Sequence, residues 1–551
     1  MSLHAAAGLA KASHALATLV LGGIAIGSNF LSPVASAQGA NWAITKTQWS
    51  ATDEKNYGEF VRALGETNCN TVDSCLKNAA NPYRASDSPG VRFWSDCAKF
   101  PYALRAYFAW KNGLPFSYVS AVATADGAGA NLRYSPRGNK VLSRRDVIQT
   151  GAPLPGIATL NQMLNTVNSA MFRFDPDLET PGVPDFYAVK VDRESLRPGS
   201  LLYDPNGHVA VVYKIEADGR VRFMDAHPDN SVTRGTYGKK FARANPGMGA
   251  GFKNWRPLQL VGAQRNASGH YIGGRVVMAR HAELADFSTE QFYGTTRSRD
   301  GRWSKGTFEV QGQVVDYYDF VRARMAVGEL RYKPVDELRN MMTALCDDLK
   351  DRVLAVQAAI DNRLHEKAQP SRLPDNIYGT HGEWESYSTP SRDARLKTSF
   401  KELRDRTEEF VSLYRHQSPR VEYQGGNLVA DLLAAYDQTA TACQFEYLKS
   451  DGGRVSLNFN DAVERLFAMS FDPYHCVEHR WGASQPGELS SCRDGEIKRA
   501  WYAAEQRLRN QLDRTYDARM NFDLRELQAR APGSGVDRAP DVDVRAYLKS
   551  N

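Results

Sequence analysis

Cys97 opens a segment in which Phe100, Leu104, Tyr107 and Phe108 recur at helical spacing until Gly113 and Pro115 stop it. A thiol at the amino end of a helix meets unpaired backbone N–H groups and the positive end of the macrodipole, both of which favour the thiolate. An unassisted thiol titrates near ~8.5, so a nucleophilic role also calls for a base. Gly207-His208-Val209 offers one, because the β-rich run Val209 to Ile215 begins just after the histidine and fixes the imidazole at a strand mouth. A second β-rich run, Arg220 to Ala226, carries Asp225 and is followed by His227, and either could hold the far nitrogen of His208. Register decides between them. A loop of Glu216 to Gly219 sets His227 opposite His208, and a tight Glu216-Ala217 turn sets Asp225 there. An Asp218-Gly219 turn leaves Asp225 on the same face but displaced along it.

The cysteine count singles out the same residue. Lys11, the apolar run Ala15 to Ile26 and the small-x-small string Ala35-Ser36-Ala37 read as a signal peptide over 1–37, which implies a periplasmic or secreted bacterial protein in an oxidising compartment. Seven cysteines then allow three disulfides and one free thiol. Cys69/Cys75 and Cys476/Cys492 are local pairs among turn residues, Cys346/Cys443 sit on two apolar-periodic segments, and Cys97 is left over.

Taken in order, these blocks resemble the NlpC-type cell-wall cysteine peptidases, which are papain-like. The resemblance rests on Asn81-Pro82-Tyr83, on Ser95-Asp96-Cys97 through Gly113-Leu114-Pro115, and on Leu196-Arg197-Pro198-Gly199-Ser200-Leu201 with Gly207-His208-Val209 and Asp225. It covers roughly residues 80 to 235 and implies Cys97 as nucleophile, His208 as base and Asp225 as its orienter. Tyr83 and Asp96 are implied at the oxyanion site or in substrate contact, and the implied substrate is a peptidoglycan stem peptide. Two rival readings stand beside it: a papain-like protease or amidase with a protein or acyl substrate, and a non-catalytic envelope-binding scaffold that keeps the fold.

The elements that must position these groups divide the chain unevenly. With 551 residues, two domains are expected. The reading is an α+β, papain-like catalytic domain over 38–285 with a small antiparallel sheet packed on the nucleophile helix. A connecting region follows over 286–330, an α-helical domain over 331–530 and a mobile tail over 531–551. A helix capped by Thr52 or Asp53 precedes the nucleophile, and 113–197 reads as loops around one helical stretch near Leu160 to Phe172. The helical domain is expected to contain Pro334 to His365, Arg395 to Tyr414, Leu428 to Tyr447, Asn460 to Met469 and Glu496 to Asp523.

A net charge of +6 without a dense Lys/Arg block excludes nucleic acid as an expected partner. No stable membrane span is expected after signal cleavage, and the helical domain is the candidate surface for an envelope partner. His475-Cys476-Val477-Glu478-His479 matches the H-x-x-E-H metalloprotease string. Pro473 before it and Gly482, Pro486 and Gly487 after it deny the helix that string needs. It reads as a disulfide loop, and neither a metal nor another cofactor is expected.

Overall fold

The computed structural model describes residues 37–128, 131–179, 182–379, 382–387 and 389–551. The expected leader therefore lies outside the described residues except for its last position. Ser50, rather than Thr52 or Asp53, caps α1 (Ala51–Gly65), because its Oγ accepts from Asp53 N while Asp53 answers to the Ser50 amide. The helix following Cys97, α2 (Lys99–Lys111), is buried almost all round. The guanidinium of Arg105 ties it to α1 by pairing with Glu54 and lying 3.4 Å over the Trp49 ring.

The region expected as loops holds a long hairpin, β1 (Phe116–Thr124) with β2 (Asn139–Val147). Val119, Val122 and Val141 are buried, and a bulge between Val119 and Val122 breaks the two-residue alternation by which the sequence would reveal a strand. Six antiparallel strands then form the central sheet: β3 (Phe186–Ala188), β4 (Leu201–Tyr203), β5 (Val209–Ile215), β6 (Val221–Ala226), β7 (Val232–Thr236) and β8 (Gly251–Trp255). Their spatial order is β3-β8-β4-β5-β6-β7. α1 and α2 pack on β5, and Gly65 has no room for a Cβ because one would lie 2.2 Å from the Tyr213 ring. Ala210, Val212, Phe223 and Phe252 join Phe320, Val321 and Met325 of the following helix in a further core.

Long helices dominate the second half: α3 (Pro334–Asp361), α4 (Thr389–Arg415) and α5 (Leu428–Ala442). Leu345, Leu349, Phe400, Leu403, Leu432 and Tyr436 make their core. The fifth helix ends earlier than its apolar run suggests, because Phe445 and Tyr447 alternate inward in a strand, β9 (Gln444–Leu448), paired with β10 (Arg454–Asn458). The expected helix Glu496 to Asp523 is only α6 (Glu496–Ala504) and α7 (Gln506–Asn510). Beyond it the chain turns back to the sheet half, where Tyr516 stacks on Tyr134 and its amide donates to Asn206 Oδ1 at 3.1 Å. The tail expected to be mobile carries α8 (Val544–Lys549), whose Val544 and Leu548 are buried against α5.

The molecule is thus mixed α and β, with small antiparallel sheets and a helical part, and Ser36–Asn551 form one compact unit. Three disulfides, Cys69–Cys75, Cys346–Cys443 and Cys476–Cys492, match the expected pairs and leave Cys97 free. Among the described residues no helix is long and apolar enough to cross a membrane.

Candidate active site

The first helical bond of the nucleophile segment runs from Phe100 N to Asp96 O, so Cys97 sits in the opening turn just before α2. Asp96 secures that turn: its Oδ1 accepts from the Lys99 amide at 3.0 Å and its Oδ2 meets Lys99 Nζ at 2.7 Å. One residue earlier, the Ser95 amide donates to Asn230 Oδ1 at 3.1 Å. Asn230 holds a left-handed φ of 66° in the turn between β6 and β7, so that turn locks the approach to Cys97. The amides of Cys97 and Ala98 donate to no acceptor among the described residues and remain available at the helix mouth.

His208 is delivered by the turn joining β4 to β5. Asp204 N donates to His208 O at 2.8 Å and Gly207 N to Asp204 O at 2.9 Å, which requires the positive φ of 90° that glycine adopts at position 207. Cys97 Sγ contacts the carbonyl of Gly207 at 3.9 Å, and the backbone amide of Val209 is also beside it. His208 and Cys97 line one cavity of about 90 Å³ without a hydrogen bond between their side chains.

Of the two candidate partners of His208, Asp225 is the one within hydrogen-bond distance. Pairing of Val211 with Met224 and Val212 with Phe223 continues to a register that sets His227 opposite His208, as a four-residue loop would. It is nevertheless Asp225, one pleat back on the same face, whose Oδ2 lies 2.6 Å from His208 Nε2. A bulge between Val212 and Lys214 offsets the longer loop. His227 stacks near His208 with ring centroids 5.6 Å apart, and its Nε2 lies 3.0 Å from Thr233 Oγ1. That hydroxyl donates to Asp225 Oδ1 at 2.6 Å. His227 therefore supports the carboxylate and also lines the cavity, while Thr233 on β7 carried no signal in the sequence.

Burial sets the protonation states. Burial alone would raise the Asp225 carboxyl, but His227 and the hydrogen bonds from His208 and Thr233 hold it below the usual carboxylate range. The His208 imidazole is lowered, by burial first and by the Arg395 charge second, against the pull of Asp225. His227 is lowered further, by burial and by Arg392. The Cys97 thiol is pushed up to about 12 by burial and by the neighbouring Asp96. Burial and Asp96 thus oppose the thiolate expected at the helix end, and with the thiol raised and the imidazole lowered the resting pair is neutral.

Tyr83 is not part of the cavity. Its ring is buried among Phe60, Tyr107 and Phe108, 5.7 Å from the last, where an aromatic side chain serves packing. Asp96 does line the cavity beside Cys97. The remaining wall comes from the hairpin turn and from the helical half. Arg133 and Tyr134 of the hairpin turn contribute, as do Tyr378, Glu385, Ser391 and Arg395 of the helical half. Arg133 pairs with Glu385, and Tyr134 stacks between Tyr378 and Tyr516 at 6.1 and 5.6 Å. Arg392 clamps Asp229 at 2.9 Å on the turn after His227.

Comparison with protein-family models, with curated proteins and with solved structures returned no match.

Proposed function

We propose that this chain is an exported cysteine hydrolase that cleaves an amide bond, with a peptidoglycan stem peptide as substrate and a papain-like arrangement of its catalytic half. The observation that carries this reading is the buried His208–Asp225 pair, whose ring shares a cavity with the one cysteine not in a disulfide. Asp225 occupies Nε2 of His208, and Nδ1 makes no hydrogen bond, so Nδ1 is the nitrogen free to act as base.

In this mechanism Cys97 Sγ attacks the amide carbonyl carbon as its proton passes to His208 Nδ1. The imidazolium then lies against the Asp225 carboxylate, which is already buried and ionised and needs no reorganisation. The carbonyl oxygen, negative in the tetrahedral intermediate, meets the unengaged amides of Cys97 and Ala98. His208 returns its proton to the leaving amine. Water, activated by the same imidazole, then cleaves the thioester and restores the thiol.

The test is digestion of purified sacculi and muropeptides by the mature chain, by Cys97→Ala and by His208→Ala, with products read by mass spectrometry. New amine and carboxylate ends released by the wild type alone support the proposal. Binding of sacculi with no product from any of the three proteins overturns it in favour of a non-catalytic scaffold. Product only from protein or acyl substrates moves the substrate and keeps the chemistry.

A further inference from the structure

The H-x-x-E-H string does not bring its two histidines to one point. Cys476 and Cys492 are joined in a disulfide, and His479 turns to Asp494, with Nδ1 and Oδ2 2.8 Å apart, while its ring stacks on Tyr502. His475 faces a different pair of residues, Asp472 and Glu505. All three of these side chains are fully buried, and one ligand atom from each lies within 4.8 Å of the others.

Their hydrogen bonding is conspicuously incomplete. Nδ1 of His475 is 2.7 Å from Ser470 Oγ, but its Nε2 is buried with no partner. Neither oxygen of Glu505 meets an N–H or hydroxyl donor although both are buried, and its carboxyl faces that of Asp472 closely enough for the two to share a proton. Asp472 is better served, accepting from the Tyr474 amide at 2.9 Å and from Gln369 Nε2 at 2.6 Å. Arg509 approaches Glu505 Oε2 at 3.6 Å without bonding to it. It is an ion-pair partner rather than a hydrogen-bond donor to that oxygen, and three of its five N–H groups go to the carbonyls of Phe467 and Tyr502 and to Gln506 Oε1.

A buried carboxylate and a buried imidazole nitrogen left unbonded each carry a desolvation penalty that something must offset. Two adjacent buried carboxylates need either a shared proton or a cation. An imidazole with a ring nitrogen within 4.8 Å of both carboxylates, and with Nδ1 held by a hydroxyl, fits a metal-ligating histidine with its supporting hydrogen bond.

We propose that Asp472, His475 and Glu505 form a buried structural site for a divalent transition-metal ion, with zinc favoured and manganese next. One nitrogen and two carboxylate ligands suit these ions better than calcium or magnesium, which take oxygen donors almost alone. The ion joins the loop after β10 that bears the Cys476–Cys492 disulfide to the α6–α7 junction. These segments pack together through Trp501, Phe471 and Leu508. The site is independent of the proposed hydrolase chemistry.

Metal content of the full mature chain, purified without chelator or added metal, is read by elemental mass spectrometry. Expected is one zinc or manganese ion per chain. After stripping with dipicolinate, zinc sulfate at a hundredfold excess over its Kd is expected to raise Tm by roughly 2–3 °C. Glu505→Gln and His475→Gln, which preserve volume, are expected to lose both the bound metal and the shift. Circular dichroism and a count of free thiols report whether they fold. The double variant Cys476→Ser/Cys492→Ser is expected to keep the ion. Absence of metal together with no response to zinc or manganese overturns the proposal and leaves a shared proton between Asp472 and Glu505. Metal that persists in Glu505→Gln and His475→Gln, or departs only with the two cysteines, also overturns it.

Discussion

Replacing Asp225 by Asn tests the central electrostatic argument. The substitution keeps the size of a side chain that is almost wholly buried, and removes its charge 2.6 Å from His208 Nε2. In the resting site both Cys97 and His208 are neutral, so the carboxylate acts fully only once the proton has moved and the ring is positive. With charge centres about 4 Å apart and an effective dielectric near 20, that attraction is worth about 4 kcal/mol. At about 1.4 kcal/mol per decade this is roughly a thousandfold in kcat, with KM little changed because the ground state does not use the interaction. His227→Gln is the control. His227 touches the carboxylate only at 3.7 Å and through Thr233, so its loss is expected to cost no more than about tenfold. The assay is initial-rate release of muropeptide fragments, with urea midpoints to show that each variant is folded. A folded Asp225→Asn protein that retains activity within tenfold of the wild type refutes the reasoning.

Three further expectations concern protonation and stability. Because burial lowers His208 and His227 and raises the Cys97 thiol, nitrogen-15 NMR at pH 6.5 is expected to find both rings neutral. Ultraviolet difference spectra against Cys97→Ser are expected to contain no thiolate band at pH 7. Depressed folded-state values mean that the histidines' contribution to stability is complete above pH ~6.5 and is lost as pH falls through those lower values. A thiolate–imidazolium pair at neutral pH contradicts this. Asn230→Ala removes the acceptor of the Ser95 amide and puts alanine at a φ of 66°, and the two effects together are expected to cost about 2–3 kcal/mol in urea unfolding. An unchanged midpoint would mean that the turn does not hold the nucleophile segment. Cys346→Ser/Cys443→Ser opens a cross-link of sequence separation 97, expected to cost about 4–5 kcal/mol on loop entropy. A loss below 1 kcal/mol would show that the denatured helical half is already compact.

Much of the site was legible because its signals are local. A helix following Cys97, a strand beginning at Val209 and a second strand carrying Asp225 near its end can each be read within a window of a few residues. The odd cysteine follows from counting. The identity of the third member was open because it depends on a bulge and a loop length, and a single-residue change in either moves every later side chain to the other face. Arg395 and Tyr378 could not be read, since nothing near them announces proximity to a thiol far away in sequence. Tyr83 misled because an aromatic residue upstream of Asp-Cys suits a packed core as well as a substrate pocket, and here Phe60 and Phe108 claim it. The thiol's protonation was hidden for a related reason: the helix dipole is visible in sequence, whereas the burial that opposes it is a property of the assembled wall.

That wall has a practical meaning for anyone dissecting the molecule. Since Tyr378, Ser391 and Arg395 enclose the sulfur together with Arg133 and Tyr134, shortening the polypeptide after residue 330 would not isolate a miniature version of the same reagent. It would wet the thiol, strip a positive charge from beside the imidazole and release the Arg392 grip on Asp229. Acidities measured on such a fragment would describe the fragment alone, and selectivity for one ligand over another has to be mapped with both halves present.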